Sequence, residues 1–353
     1  ARVAAEARKV LSGPATIVVE GRELALGAAL LGGLLDVAAD GKRLRLDLPA
    51  QDLHDALRPQ LAGLEVDARD ARFVVEKPPA PAPPDPAVPP PADPTAAPVV
   101  APVTPPPPVI RIEESVTGKE LDVAAVAEAL LLGEHRVEAT LGEVAPRVDT
   151  ERARTLRIVE PVSTFTTQHP AGQPRVKNIH RIADLVQGTV ILPGERFSLN
   201  QRVGRRTRAA GFVEAPVIYD GEFTEDIGGG VSQFATTFFN AAFFGGYDIV
   251  SHQPHSYYIS RYPMGREATV SYPQPDLVIA NDSTSGILVQ TSYTASSITV
   301  TLWGDKEGRT VEAEGPRVSR RSGRGFSVVV HRVIRRPGRP PQRERFDTFY
   351  RYQ

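Results

Sequence analysis

Residues 226–245 read Asp226-Ile227-Gly228-Gly229-Gly230-Val231-Ser232-Gln233-Phe234-Ala235-Thr236-Thr237-Phe238-Phe239-Asn240-Ala241-Ala242-Phe243-Phe244-Gly245. Three successive glycines open backbone conformations closed to other residues and let main-chain N–H groups approach a ligand. Val231, Phe234, Ala235, Phe238, Phe239 and Ala242 then recur at helical spacing. The spacing predicts a central amphipathic helix with that face on a core, ended by Gly245-Gly246. Ser232 falls at its mouth, where unpaired N–H groups and the positive end of the helix dipole favour a negative charge or a developing oxyanion.

That placement makes Ser232 a candidate nucleophile. Acyl transfer also needs a base, a group to orient the base, and oxyanion donors. His255 is the candidate base, Glu267 or Asp226 the orienting group, and the N–H groups after Gly229 the donors. A plainer role stands beside this one: serine is a favoured N-cap, and its Oγ would then accept the Ala235 N–H.

Further blocks flank the glycine run in order: Phe197-Ser198-Leu199-Asn200, Val203-Gly204-Arg205-Arg206-Thr207 and Gly211-Phe212 before it, then His255-Ser256, Arg261-Tyr262-Pro263 and Gly265-Arg266-Glu267-Ala268-Thr269-Val270 after it. Together with Gly228-Gly229-Gly230-Val231-Ser232-Gln233 they resemble the VanW domain of bacterial envelope proteins over roughly residues 155–310. The resemblance implies L,D-transpeptidase-like acyl transfer on peptidoglycan. Family members carry a cysteine where this chain has Ser232, and a histidine followed by serine where it has His255-Ser256. A cysteine near pKa ~8.5 is partly thiolate at neutral pH, whereas a serine hydroxyl depends on a well-placed base. A wall-binding or scaffolding module without turnover is the alternative.

Gly228, Gly229, Gly230 and Gln233 are the candidate ligand contacts at the helix mouth. Arg205, Arg206, Arg261 and Arg266 are candidates for bidentate hydrogen bonds to the carboxylates of a peptidoglycan stem peptide, with a solvated or structurally paired arginine as the plainer reading of each. Asn200 and Thr207 would orient the arginine-bearing loop. His252 and His255 with Glu267 or Asp248 match no zinc spacing, so neither a metal nor a cofactor is expected.

The 353 residues allow two domains of ordinary size. A formal net charge of -1 points to no nucleic acid or membrane surface as partner. The absence of cysteine excludes disulfides and thiolate chemistry. No apolar run approaches the roughly 20 residues of a membrane span. The chain starts at Ala1 without a signal-peptide pattern. It is read as the extracytoplasmic part of a longer protein, with membrane contact only through a segment upstream.

Before the glycine run, residues 4–11, 24–35 and 51–61 read as helices, with Pro59 able to end the third early. Residues 16–19 and 71–75 read as strands, and 36–48 as a hairpin turning at Asp40-Gly41. This order resembles the YoaR-like peptidoglycan-binding domain that commonly precedes VanW. From residue 78 to 108, 16 of 31 residues are proline, which reads as solvated polyproline II or disorder. Strand 109–113, a helix capped by Asp122 and strand 136–140 follow. The tract at 77–108 is therefore expected to be an insertion within domain 1–150, with 71–75 pairing near 109–113. An interdomain linker is the alternative.

In domain 151–310, residues 158–166, 189–192, 215–219, 277–280, 287–293 and 298–303 read as strands, 178–187 as a helix and 197–211 as a surface loop. Strands at 326–333 and 346–352 belong to an Arg-rich β tail, 311–353, that completes it. The window 317–345 holds ten arginines and one acidic residue, Glu344, without the aromatic interleaving of single-strand binders. The expected class is α+β, with the second domain an antiparallel sheet packed on the central helix.

Overall fold

In the computed structural model, Glu20 and Gly21 both take positive φ, 48° and 80°, the geometry of a tight hairpin turn. Ala15–Val19 and Arg22–Leu26 are therefore an antiparallel pair, and Arg136–Ala139 joins the first of them in parallel. This corrects the helix expected over 24–35. Leu24 and Leu26 alternate inward as strand residues, and only Ala28–Leu34 is helical. The hairpin Asp36–Asp40 with Arg43–Asp47 forms as its Asp-Gly turn predicts. Ala50–Leu61 keeps Pro59 inside its last turn rather than ending before it. Asp122 caps Val123–Leu131 by accepting the Ala125 N–H at 3.1 Å.

The structure describes residues 2–41, 43–76, 109–219 and 222–352. Arg72–Glu76 and Val109–Glu113 are hydrogen-bonded neighbours in a two-stranded sheet. The proline tract between them, with the conformation expected for it, lies outside the described residues. The chain divides into two compact units, Ala1–Arg72 with Ile112–Ala153, and Phe73–Arg111 with Arg154–Gln353. The first has its own core, built on Val10, Ile17, Leu26, Leu53, Leu57 and Leu130. The architecture is α+β.

In the second unit, Glu160–Gln168, Ser297–Gly304, Ile287–Thr294 and Val190–Ile191 form one antiparallel sheet in that order. The helix Val231–Gly245 lies on the first two of these strands. It is not amphipathic as expected: all of its 15 residues are buried except Ser232 and Phe244. The polar positions that read as a solvent face bond inward instead. Thr237 Oγ1 donates to Gln233 O at 2.8 Å, Asn240 Nδ2 to Thr236 O at 2.8 Å, and Gln233 Nε2 to Gln168 O at 2.8 Å. Met in this way, their desolvation is offset and the helix can sit inside the core.

The tail holds the far end of this helix. Thr310–Ser322, Gly325–Arg335 and Gln342–Arg351 form a three-stranded antiparallel sheet. From it Arg332, 1% exposed, donates to Phe243 O at 3.2 Å and Tyr247 O at 2.9 Å, where the helix leaves carbonyls unpaired and its dipole is negative. The arginine excess of this window is answered by acids on either side of it. Arg343 pairs with Glu314 at 2.7 Å, Arg345 with Asp347 at 2.7 Å and Arg335 with Glu312 at 2.8 Å.

His252 stacks on Phe239 at 4.6 Å, with Phe346 at 5.7 Å. Burial pushes its pKa down to about 4. As pH falls below ~6.5 the unfolded chain binds a proton that the folded chain refuses until about 4. Stability from this group is thus complete above ~6.5 and is lost on acidification, by up to about 3 kcal/mol. Denaturant midpoints between neutral pH and pH ~4.5 should fall less steeply in His252→Phe than in the wild type. Parallel slopes would refute the assignment.

Candidate functional site

Each residue of the glycine run is small because something passes over it. A Cβ on Gly229 would stand 2.2 Å from the Ala215 carbonyl oxygen, on the strand Glu214–Tyr219. One on Gly230 would stand 2.7 Å from Arg175 Cβ, and one on Gly228 2.9 Å from Arg206 Cβ. Gly228 and Gly230 also take φ of 93° and 95°, which side chains resist. Asn178, fully buried, clamps the run by donating to Gly229 O and to Val213 O, both at 2.9 Å.

Most N–H groups of the run turn inward rather than toward a ligand. Gly228 donates to Val213 O, Gly229 to Asp226 O, Val231 to Gly228 O and Gln233 to Gly230 O. Among the described residues, the N–H groups of Gly230 and Ser232 are left without a partner. The N-cap is Gly230, so Ser232 does not cap the helix. Its Oγ accepts the Val270 N–H at 3.2 Å instead.

A cleft of about 1420 Å³ opens at this helix mouth. Ser232, His255, Gly228, Gly230, Arg205, Arg206, Thr207, Arg261 and Asp226 all line it. His255 Nδ1 bonds Glu267 Oε2 at 2.8 Å, and the Glu267 side chain is wholly buried. A carboxylate there accepts the Nδ1 proton and leaves Nε2 as the ring's acceptor. Of the two orienting groups considered, Glu267 is the one hydrogen-bonded to His255. Asp226 accepts the Ile227 N–H. No hydrogen bond joins Ser232 Oγ to the imidazole among the described residues.

Three sequence-selected residues act behind the wall of the cleft. Gly229 lies under the Glu214–Tyr219 strand, Gln233 accepts from Arg175 Nη2 at 2.9 Å, and Asn200 accepts from Arg206 Nη1 at 2.6 Å. Asn200 Nδ2 also reaches the carbonyls of Ser271, Pro273 and Pro275, so it fixes the loop facing Arg206. Thr207 Oγ1 accepts the Ala210 N–H at 3.1 Å. Arg266 stands apart from these, its guanidinium over Phe244 at 5.0 Å and Phe243 at 5.7 Å.

The region 197–211, expected to be a surface loop, is partly built into the core. Arg196–Ser198 is a strand and Leu199–Val203 a short helix capped by Ser198. Phe197, Leu199, Asn200, Val203 and Arg206 are buried. Asp276 holds the segment by accepting from Ser198 Oγ at 2.5 Å and from the Asn200 N–H at 2.9 Å. The arginines distracted from an apolar pattern at Phe197, Leu199 and Val203.

One cleft residue and one neighbour of Glu267 escaped the sequence reading. Arg175, 8% exposed, lines the cleft from the first turn of Pro174–Val186, a helix expected to start only at 178. Pro174 at its first position was the available signal. Tyr350, on the last strand of the tail, accepts the Gly265 N–H at 2.7 Å. Burial, then the neighbouring Glu267 charge, holds its phenol well above the usual range.

The family described as VanW like protein matches residues 174–303. That span contains Arg175, Arg206, Ser232, His255 and Glu267, and stops before the tail strands. The chain is also 33% identical over 171 residues to the Bacillus subtilis (strain 168) protein described as uncharacterized protein YoaR. The aligned stretch is 48% of this chain and 56% of the relative, so the chain spans about half of that protein. No solved structure matches. Residues 174–303 are thus a VanW-like domain, and the cleft at the mouth of its central helix is the candidate site.

Proposed function

We propose that this chain is an extracytoplasmic protein of the bacterial envelope whose cleft binds a peptidoglycan stem peptide and transfers an acyl group from it. Ser232 Oγ attacks an amide carbonyl of the stem peptide while His255 Nε2 takes its proton. The N–H groups of Gly230 and Ser232 receive the oxyanion, and the leaving amine departs with the proton from His255. The amine of a second stem peptide then attacks the ester and restores the serine. Glu267 keeps the imidazole in the required tautomer throughout.

The observation that carries this reading is the His255–Glu267 bond at 2.8 Å, with a fully buried carboxylate, in the cleft that Ser232 lines. A buried carboxylate behind an imidazole fixes the tautomer and orientation of the ring, and catalytic hydrogen bonds often close only when substrate arrives.

A second reading, binding without turnover, is favoured by one specific contact. Ser232 Oγ already accepts the Val270 N–H and has no bond to the base. Incubation with tetrapeptide-bearing muropeptides, read by mass spectrometry, separates the two. Transfer predicts a cross-linked product that disappears in Ser232→Ala. Tight binding unchanged by Ser232→Ala, with no product, establishes the module instead. A gain of product in Ser232→Cys would show that the remaining groups are in place.

A further inference from the structure

Two arginines in the wall of the cleft are buried without a direct salt bridge among the described residues. Arg175 and Arg206 are each 8% exposed, and neither forms a salt bridge among the described residues. Arg206 spends Nη1 on Asn200 Oδ1 at 2.6 Å and Gly204 O at 3.0 Å. Its Nε and Nη2, the two donors of one guanidinium edge, are shielded from solvent and have no hydrogen-bond partner among the described residues. Arg175 spends Nη2 on Gln233 and likewise leaves Nε unpartnered. Burial lowers the pKa of both; Tyr262 opposes it at Arg175 while Arg261 adds to it, and the Asp276 carboxylate opposes it at Arg206.

Unpaired donors on a desolvated cation are costly to a folded protein, and an arriving anion offsets that cost. The stems of the two arginines pack on Gly230 and Gly228, two residues apart, and both residues line the cleft at the helix mouth. The positive end of the Val231–Gly245 dipole adds to the same field. An Nε/Nη2 edge matches the two oxygens of a carboxylate in a planar fork. Asn200, tied to three carbonyls, holds that fork in place before a ligand arrives.

We propose that Arg206, with Arg175 as the second charge, forms a carboxylate-recognition subsite of the cleft that selects a peptide ending in a free carboxylate. The proposal rests on the stem-peptide reading and specifies which part of the peptide is recognised. The subsite lies beside Ser232 rather than on it, and needs no turnover to operate.

Calorimetry on Ser232→Ala protein, which cannot transfer, tests it with three probes: N-acetyl-L-lysyl-D-alanine, its C-terminal amide, and N-acetyl-D-glutamate α-amide. The free carboxylate should bind at least about tenfold tighter than the amide. Arg206→Lys, which keeps the charge and most of the stem but not the fork, should lose most of that preference. Arg175→Gln, on a different element, should weaken the carboxylate ligand while leaving the amide unchanged. Equal affinity for carboxylate and amide, or a preference that survives Arg206→Lys, would overturn the subsite. Binding of the glutamate probe as tight as the first would overturn selection of a peptide terminus, because that probe carries its carboxylate on the side chain. Selectivity without any product from wild-type protein would sink the transfer reaction alone. Product formed equally well from amide-terminated peptides would sink the subsite alone.

Discussion

Gly229→Ala is expected to lower the stability of the second unit by ~3 kcal/mol or more, because the new methyl has nowhere to go. Its Cβ would fall 2.2 Å from Ala215 O, 2.6 Å from Ala215 C and 2.8 Å from Pro216 O. All three atoms are backbone, so no side chain can swing aside. Relief would require the Glu214–Tyr219 strand to lift or the clamp from Asn178 to open. The control is Gly323→Ala, in the same unit, where a Cβ meets nothing within 4 Å. Urea midpoints of the two variants should therefore differ widely. Equal midpoints would mean that the strand does not press on the glycine run as described.

His255→Ala should reduce acyl transfer by about 10²–10⁴-fold, the contribution of a positioned general base, with the fold intact. Glu267→Gln tests the other half of the pair. It keeps the shape but can present an amide N–H to Nδ1, reversing the tautomer and placing a proton on Nε2. Its loss of rate should approach that of His255→Ala, while peptide affinity changes little. A rate that survives both substitutions would remove the imidazole from the reaction.

The central helix was legible because its phenylalanines and alanines keep helical spacing over fifteen residues. Its near-complete burial was not, since Thr236, Thr237 and Asn240 fall off the face marked by the apolar residues and find their partners only in the fold. The meeting of His255 with Glu267 followed from the chemistry wanted at Ser232, and the structure joins that pair. The glycines have a second use beside the one read from them. They read as ligand-facing backbone, and Gly228 and Gly230 do line the cleft, but they also make room for Arg175, Arg206 and a strand. No local pattern announces such crowding, because the atoms that crowd come from positions 175, 206 and 215. Tyr350 was hidden for the same reason: it stands 83 positions along the chain from Glu267, and only the folded tail sheet brings it there.

That an activated hydroxyl sits in this cleft can be tested without knowing the natural substrate. A serine-directed fluorophosphonate forms an Oγ–phosphorus bond and releases fluoride only where a base withdraws the hydroxyl proton. At neutral pH the intact protein should gain one adduct, mapped by peptide mass spectrometry to Ser232 and absent in His255→Ala. Folded protein that stays unlabelled at Ser232, or labels there equally without His255, would contradict an enzyme built on these residues.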